Sequence, residues 1–205
     1  MISGLSGIIP GGITSQDLSA ILNISEFHSQ NVLDEFVSHD IGTKKDDAYF
    51  FDIHDKLKAA IWMIQNGCPI DDISTKLHWK DFEGLVSEIL YEKNFAVMKN
   101  LILTKPRMEI DVVGIRLGIA MLIDCKHWKR YPYSSLMKAV NKQVERTKSY
   151  VSKTQNSVAV PVIVTLYKDK VDFIDKVPIV PIFQFASFVD DFYGNLEQMK
   201  TIETN

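Results

Sequence analysis

The chain has 205 residues and a formal net charge of −3, with 46% hydrophobic and 24% charged residues. This length and composition suit one large or two small globular domains, and they exclude general disorder and collagen-like or low-complexity classes. Residues 1–12 contain no Lys or Arg, and no apolar run reaches about 18 residues, so we expect neither a secretory signal nor a membrane span. Only Cys68 and Cys125 could pair, which predicts a cytoplasmic protein with reduced thiols.

Residues 1–78 are predicted to form a helical, winged-helix-like domain. Ser15 is expected to cap a first helix, and Ser25 to begin a second, before a polar turn and a short strand at 48–51. Helix, turn, helix and hairpin is the order of a winged helix. The apolar stripe of the second helix is predicted to be Phe27, Val32, Leu33 and Phe36. Two further helices are predicted, Asp55 to Gln65 and Ile70 to Leu77.

The second predicted helix, Ser25 to Ser38, is the element that a winged helix places in the major groove. It contains Glu26, Asp34 and Glu35 and no Lys or Arg. Contact with phosphate would therefore be repulsive, and a protein–protein or dimerisation role is favoured. The Ser-Gln-Asn triplet at 29–31 could still hydrogen-bond base edges, so DNA binding stays open.

From residue 79 the pattern changes to that of one mixed-sheet α/β domain, residues 79–205. It begins with a helix whose apolar residues recur at i, i+3, i+4, i+7 and i+8. The predicted strands are Phe95 to Leu103, Ile110 to Ile115, Ile119 to Cys125, Val158 to Leu166, and Val177 to Phe185 near a sheet edge. Helices are expected at 134–151 and 188–199, which gives the order αβββαβ(β)α.

The middle two of these strands are predicted to form a hairpin around Leu117-Gly118, where Gly suits a turn that needs positive φ. Asp111 and Asp124 are equally far from this turn, so they would lie opposite each other, with Cβ atoms about 4.5–5.5 Å apart. Two carboxylates so close repel unless a cation lies between them or one is protonated. Alternation along the strand places Lys126 on the same face as Asp124.

This arrangement suits hydrolysis of a phosphodiester by water, without a covalent enzyme intermediate. Hard oxygen ligands with open positions are what Mg²⁺ prefers, and such an ion polarises phosphate and lowers the pKa of bound water. Lys126 could orient or deprotonate that water and stabilise the pentacoordinate state.

Charge is concentrated in one segment. Residues 126–153 carry eight Lys or Arg and one acid, a balance of +7, while the rest of the chain is at −10. A basic stretch in an acidic protein fits a face that contacts phosphates, although a solvated basic helix would have the same composition. The candidate nucleic-acid contacts are Lys129, Arg130, Lys138, Lys142 and Arg146.

The Asp-(x)12-Asp-x-Lys signature, preceded by a helix with Phe82-Glu83-x-Leu85-Val86, resembles the PD-(D/E)XK restriction-endonuclease-like superfamily. Within it, residues 80–185 are most similar to type IV methylation-dependent restriction endonucleases and archaeal Holliday-junction resolvases. The αβββαβ order agrees with this resemblance. Two departures are that Ile110 replaces the nominal proline and that Asp124 replaces the more usual, longer glutamate.

The resemblance implies a role for each motif residue. Asp111 and Asp124 would be metal ligands, with the Cys125 backbone carbonyl as a third. Lys126 would be the catalytic lysine, and Glu83 would bind the metal or order its water. A glutamine often found in the following helix of these relatives is matched by Gln143.

We therefore predict a Mg²⁺-dependent DNA endonuclease, in which Mn²⁺ substitutes, with no small-molecule cofactor and, by resemblance, a homodimeric assembly. A DNA-binding regulator or scaffold that kept the fold without turnover is the alternative, motivated by the acidic first half and the short Asp124. A small-molecule α/β enzyme is disfavoured, since Gly-rich phosphate loops and a Gly-x-Ser-x-Gly elbow are missing from the sequence. Methylated sites, four-way junctions, damaged ends and invading DNA all stay open as substrates.

Overall fold

The computed structural model describes residues 2–128, 132–154, 158–168 and 171–204. The chain divides into two compact units, Met1–Asp81 and Phe82–Asn205, a division three residues beyond the boundary expected from the sequence. Within the described residues, every helix is too short or too polar to cross a membrane. Both cysteines are free thiols.

The first unit is a winged-helix-like arrangement, as predicted. After a 3₁₀ turn at Ile2–Ser6, the elements are β1 (Gly11–Thr14), α1 (Ser15–Leu22), α2 (Glu26–Ser38), β2 (Thr43–Lys45), β3 (Ala48–Phe51), α3 (Asp55–Gln65) and α4 (Ile70–Ser74). The three strands form an antiparallel sheet in the order β1-β3-β2. Strand β1 was missing from the sequence-based prediction, and it pairs with β3 from Gly11 opposite Phe51 to Thr14 opposite Ala48.

Helix α1 is capped by Thr14, so the prediction of Ser15 was wrong by one residue. The Thr14 hydroxyl accepts from the Asp17 amide at 3.1 Å, and the Asp17 carboxylate accepts from the Thr14 amide at 3.0 Å. This reciprocal pair is a capping box, which satisfies two backbone donors that a helix start leaves unpaired. The predicted cap of α2 is confirmed, because the Ser25 hydroxyl accepts from the His28 amide at 3.3 Å.

The predicted apolar stripe of α2 was wrong at Phe27, whose side chain is 71% exposed. The buried positions of α2 are Ser29, Leu33 and Phe36. Phe27 lies two residues before Ser29, which is roughly 200° around the helix, so it points away from the core. Its spacing already indicated this, because Phe27 lies nine residues before the buried Phe36, which is roughly 180° around the helix.

The second unit is a mixed α/β domain with the predicted αβββαβ order. The elements are α5 (Trp79–Glu92), β4 (Ala96–Leu103), β5 (Met108–Arg116), β6 (Ile119–Lys126), α6 (Tyr133–Val151), β7 (Val158–Thr165), β8 (Phe173–Ile174), β9 (Val177–Pro181), α7 (Ile182–Asp191), a 3₁₀ turn at Tyr193–Gln198, and β10 (Ile202–Glu203). Strands β4, β5 and β6 are antiparallel neighbours, whereas β6, β7 and β9 run parallel, in the sheet order β4-β5-β6-β7-β9-β8 with β10 on β7.

The end of the chain differs from its prediction. The strand expected over 177–185 ends at Pro181, and the closing helix begins at Ile182 instead of 188. From Ile182 the buried residues follow helical spacing, with Phe185 and Val189 on the same face. The sequence of short apolar runs was ambiguous there, because a buried strand and the first turn of a buried helix look alike.

The core of the second unit lies on both faces of β5, β6 and β7. Buried residues of these strands pack against Tyr150 and Val151 at the end of α6, and against Leu136 and Val140 nearer its start. Gly114 allows α5 to approach, since a Cβ there would lie 2.9 Å from a methyl carbon of Leu90. Helices thus cover a sheet whose central strands are almost entirely apolar. The acidic residues Asp111 and Asp124 on these strands are therefore candidates for a functional site.

Candidate functional site

The β5–β6 hairpin has the predicted two-residue turn. Leu117 and Gly118 have φ of 49° and 77°, the pair of positive values that a type I′ hairpin turn requires. Pairing runs from Arg116 opposite Ile119 to Val112 opposite Ile123, and Asp111 and Asp124 are the residues that follow this last pair. The hairpin therefore brings the two acids to the same end, while their direct opposition stays a prediction.

Asp124 is the most deeply buried charged side chain of this site, at 2% exposure, and two cations bind it. The Lys126 ammonium lies 2.6 Å from Asp124 Oδ2, and the Arg146 guanidinium lies 2.6 Å from Oδ1. The Lys126 contact is close but poorly aligned, because Asp124 Oδ2 is buried without a well-oriented hydrogen-bond donor among the described residues. Its negative charge is neutralised, while one oxygen keeps unused acceptor capacity.

Asp111 accepts one backbone hydrogen bond, from the Cys125 amide to Oδ2 at 2.7 Å. Burial, followed by repulsion from Asp124, raises the pKa of Asp111 to about 6. The Cys125 amide and the charges of Lys126 and Arg146 oppose that rise without cancelling it. Asp111 is therefore a carboxylate whose charged form is under-stabilised by the protein alone.

Glu83 projects from α5, whose buried face also holds Phe82 and Val86. Its side chain is 8% exposed. Burial raises the pKa of Glu83 to about 7, with further contributions from Asp111, Glu109 and Asp124. Four acids near one end of the hairpin thus interact, and two of them, Glu83 and Asp111, have raised pKa values.

Gln143 lies on the buried face of α6 and connects that helix to β6. Its side-chain amide donates to the Leu122 carbonyl at 2.8 Å, and its side-chain oxygen accepts from Arg146 at 3.2 Å. The backbone carbonyl of Gln143 also accepts from the Thr147 hydroxyl at 2.8 Å. These bonds hold the Gln143 side chain against β6 and place its oxygen beside Arg146.

The basic residues of α6 fall into two classes. Lys138 and Lys142 are exposed, in agreement with a face that contacts a polyanion. Arg146 differs from the expected phosphate contact: its side chain is 11% exposed, because helical periodicity turns it towards the sheet, where it pairs with Asp124. Lys129 and Arg130, the other predicted contacts, lie outside the described residues.

Cys125 contributes its amide to the site, through the hydrogen bond to Asp111. Its carbonyl as a metal ligand stays a prediction. The thiol is half-buried, and burial, followed by the charges of Asp111 and Glu83, raises the pKa of Cys125 well above its ordinary value. A thiol that stays neutral is a poor nucleophile.

The donor set suits Mg²⁺ better than a transition metal. Within residues 2–128, 132–154, 158–168 and 171–204, no three His, Cys, Asp or Glu side chains converge as a complete metal cage. Mg²⁺ commonly takes only one or two carboxylates and completes its shell with water and substrate phosphate. Asp111 and Asp124, whose charges repel each other at this end of the hairpin, fit such an incomplete oxygen site.

Two features of the site escaped the sequence analysis. Arg146 is three residues after Gln143, a spacing that places both on one helix face, so the signal for their joint role was present. Aromatic rings also flank the motif: the Trp128 ring centroid lies 5.3 Å from the Lys126 ammonium nitrogen, and the His127 ring lies 5.3 Å from that of Phe82. These contacts link residues after β6 to the lysine and to α5.

Comparison with known proteins gave one clear sequence relative. An uncharacterized protein of Archaeoglobus fulgidus is 30% identical over 126 residues, which cover 60% of this chain and 97% of that protein. No family model matches the sequence.

Solved structures give more distant likenesses. Protein VC1899 from Vibrio cholerae aligns at 12% identity and a TM-score of 0.44, over 95% of this chain and 51% of that chain. Can2 from Sulfobacillus thermosulfidooxidans, solved in complex with cyclic tetra-adenylate, aligns at 14% identity and a TM-score of 0.39, over 81% of this chain and 44% of that chain. The chain thus spans about half the length of these two solved proteins.

Proposed function

The chain belongs to the family of the uncharacterized Archaeoglobus fulgidus protein, and we propose that it is a Mg²⁺-dependent DNA endonuclease. One observation carries this proposal: Asp111 accepts from the Cys125 amide, next to the buried Asp124, and the Lys126 ammonium lies 2.6 Å from the Asp124 carboxylate. Buried acids with perturbed pKa values beside a lysine are typical of catalytic sites.

Each residue has a role that its surroundings support. Asp111 and Asp124 would hold Mg²⁺ through carboxylate oxygens, with Glu83 as an outer carboxylate. When bound, the ion would supply Lewis-acid stabilisation of charge on the scissile phosphate and acidify a water molecule. Lys126, with its side chain 20% exposed, can reach both Asp124 and an incoming substrate. It would orient the attacking water and stabilise negative charge on the phosphate oxygens.

Glu83 supports the proton transfers of the reaction. A group whose pKa lies near the working pH is an effective general base, and the pKa of Glu83 is raised to about 7. It would accept the proton of the attacking water, directly or through a second water. Attack on phosphorus by water would break the phosphodiester bond without a covalent intermediate.

The surface of α6 supports a nucleic acid as substrate. Lys138 and Lys142 are exposed on the helix that also brings Gln143 and Arg146 to the site. Basic groups on one exposed face attract the phosphate backbone and release counterions on binding. They carry no information about which DNA is cut, since phosphate contacts position a protein without reading sequence.

The proposal is tested by cleavage assays with Mg²⁺ or Mn²⁺ on supercoiled plasmid, methylated duplex and four-way-junction DNA. We expect a divalent-ion-dependent cut of at least one substrate by wild type and by Lys148→Ala, whose side chain pairs with Glu145 on the surface. Lys126→Ala and Asp111→Asn should lose it. Equal products from wild type and both site variants, or none from wild type on any substrate, would reject the nuclease function.

A second candidate, a DNA-binding protein without turnover, is favoured by one observation. Both oxygens of Asp124 already have cationic neighbours, Lys126 and Arg146, so this carboxylate is neutralised without a metal. This candidate predicts salt-dependent DNA binding with no divalent-ion requirement. Calorimetric titration of the DNA-free protein with Mn²⁺ separates the two, because only the nuclease needs an ion at Asp111 and Asp124.

A further inference from the structure

Arg146 has the surroundings of an internal counter-ion. Its Nη1 lies 2.6 Å from Asp124 Oδ1 and 3.2 Å from Gln143 Oε1, so one nitrogen is shared between two acceptors. With 11% of the Arg146 side chain and 2% of the Asp124 side chain exposed, solvent screens the pair little. A buried carboxylate that lost such a partner would carry an uncompensated charge, which is strongly destabilising.

Apart from Asp124, the hydrogen-bond partner of the Arg146 guanidinium among the described residues is Gln143. Its Nε is buried and meets no acceptor within the described part of the chain. Gln143 Oε1 is a neutral acceptor on the same helix, three residues earlier, and it stays in reach if the contact with Asp124 is given up. Gln143 is itself fixed to β6 by its bond to the Leu122 carbonyl. Release of Asp124 would therefore break one ion pair and leave the guanidinium with a partner.

We propose that Arg146 is a built-in counter-cation of the metal site, which holds Asp124 Oδ1 in the metal-free protein and competes with the divalent ion for that carboxylate. The inference rests on the proposed function, since it takes Asp124 as a metal ligand. Arg146 is thus a positioning residue that acts through Asp124. It keeps the metal-free site folded and weakens the affinity for the ion.

A competing cation and an orienting residue differ in how their removal changes the affinity for the ion. Removing a residue that only orients a ligand would weaken ion binding, whereas removing a competitor would strengthen it. Removing Arg146 frees Oδ1 and takes one positive charge from the site, and both changes favour a divalent cation. A charge-assisted hydrogen bond is typically strong enough that its loss as a competitor should tighten ion binding about tenfold.

The test is calorimetric titration of the DNA-free full chain with Mn²⁺, together with thermal melting. Arg146→Met keeps the length and apolar stem of the side chain and removes its charge. Lys148→Met is the matched control: it removes one charge from the same helix, but its ammonium pairs with surface Glu145 at 2.8 Å. We expect about tenfold tighter Mn²⁺ binding by Arg146→Met and less than about twofold change in the control. The metal-free Arg146→Met protein should melt lower than wild type, and saturating Mn²⁺ should close the gap.

The possible results distinguish failure of the counter-cation role from failure of the proposed function. Unchanged or weaker Mn²⁺ binding by a folded Arg146→Met protein, while Asp124→Asn abolishes wild-type binding, overturns the counter-cation role and leaves the nuclease proposal intact. Absence of any Mn²⁺ binding by wild type rejects the metal site and the proposed function. If Arg146→Met does not fold without metal, refolding with Mn²⁺ supports the role, and failure to refold with Mn²⁺ contradicts it. Arg146→Lys, which keeps a charge but loses the shared planar nitrogen, should bind Mn²⁺ with intermediate affinity.

Discussion

Each unit of the molecule buries acidic side chains, but the pKa of Asp55 in the first unit is lowered, whereas those of Glu83 and Asp111 in the second are raised. In the first unit, Asp55 is buried at the start of α3. Burial by itself would raise its pKa, but hydrogen bonds from Lys58 at 2.7 Å and the Asp52 amide at 2.8 Å outweigh it, and the net shift is downward. In the second unit, burial raises the pKa values of Glu83 and Asp111, because too few hydrogen-bond donors and cations stabilise their charged forms.

The difference separates structural acids from functional ones. Asp34 follows the structural pattern, since contacts from Lys44 at 2.8 Å and Tyr49 at 2.7 Å lower its pKa. An acid of this kind contributes to stability and needs no further cation. A set of acids with raised pKa values is stabilised when a cation arrives, which is why such groups mark binding sites. The predictions below compare matched changes in the two units.

The largest expected contrast is in catalysis. Asp124→Asn should lower the rate of Mn²⁺-dependent DNA cleavage by about a thousandfold, because stabilisation of several kcal/mol depends on the metal site. Asp55→Asn, the same change at a buried acid of the first unit, should leave the rate per folded molecule unchanged. Initial rates on the preferred substrate, normalised to folded protein, measure both. Equal losses in the two variants would contradict the assignment of the site to the hairpin.

Stability should change in opposite directions. Asp55→Asn should lower the free energy of unfolding of the first unit by about 1–3 kcal/mol, since it breaks the ion pair with Lys58. Glu83→Gln should raise that of the metal-free second unit at pH 8 by on the order of 1 kcal/mol, since it removes a buried, under-stabilised charge. Native-state hydrogen exchange in urea reports the units separately. A destabilised Glu83→Gln protein at pH 8 would contradict the functional reading of this acid.

The pH dependence should also differ between the units of the metal-free protein. The pKa values of Glu83, about 7, and Asp111, about 6, lie above their ordinary values of 4.5 and 3.8. Their stabilising contribution is therefore complete below about pH 4 and is lost as the pH rises through 6 and 7. The lowered pKa values of Asp34 and Asp55 have the opposite sign, so their contribution is present above about pH 4 and lost on acidification.

Hydrogen exchange at pH 5 and pH 8, extrapolated to a common intrinsic rate, measures this difference. From pH 8 to pH 5 the second unit should gain stability, whereas the contribution of Asp34 and Asp55 in the first should hardly change. At pH 8, Mn²⁺ should restore the stability that the second unit loses between pH 5 and pH 8. The Glu83→Gln substitution should make the stability of this unit less dependent on pH. A second unit that is less stable at pH 5 than at pH 8 would refute the raised pKa values.

The smallest expected effect concerns DNA affinity, and it extends the comparison to two helices. Lys142→Ala on α6 should reduce the slope of log affinity against log salt by about 0.9, the value for one lost phosphate contact. Glu35→Gln on the acidic α2 should leave the slope unchanged or increase it. Fluorescence anisotropy with a duplex, over a range of salt without divalent ions, measures both. A larger drop for α2 variants than for Lys142→Ala would instead indicate that the winged-helix-like unit contacts DNA.

The comparison also explains how far the sequence could predict the site. The hairpin was predictable because Leu117-Gly118 and the apolar strands around it determine the register by local geometry. The placement of Arg146 was not predictable from charge, since eight basic residues lie in the same segment. Only the packing of α6 on β6 distinguishes the buried Arg146 from the exposed Lys142.

The misplaced ends have a similar origin. Ser15 and Thr14 are equally good caps by composition, and the choice depends on which backbone amides are free where β1 ends. After Pro181 the chain could continue as a strand or begin a helix. It begins a helix, because Phe185 and Val189 are then buried on one face. In both places, local preference is balanced and long-range burial decides.

The sequence by itself determined the αβββαβ order of the second unit, the hairpin and the position of Asp111 and Asp124 at its open end, because periodicity and turn geometry act over a few residues. The tertiary structure decided which charges meet: it buried Asp124 between Lys126 and Arg146 and left Glu83 and Asp111 short of donors. Those contacts join α5, β5, β6 and α6, which lie between residues 79 and 151 of the chain. Their electrostatics depend on desolvation and distance, which exist only once the helices have packed on the sheet.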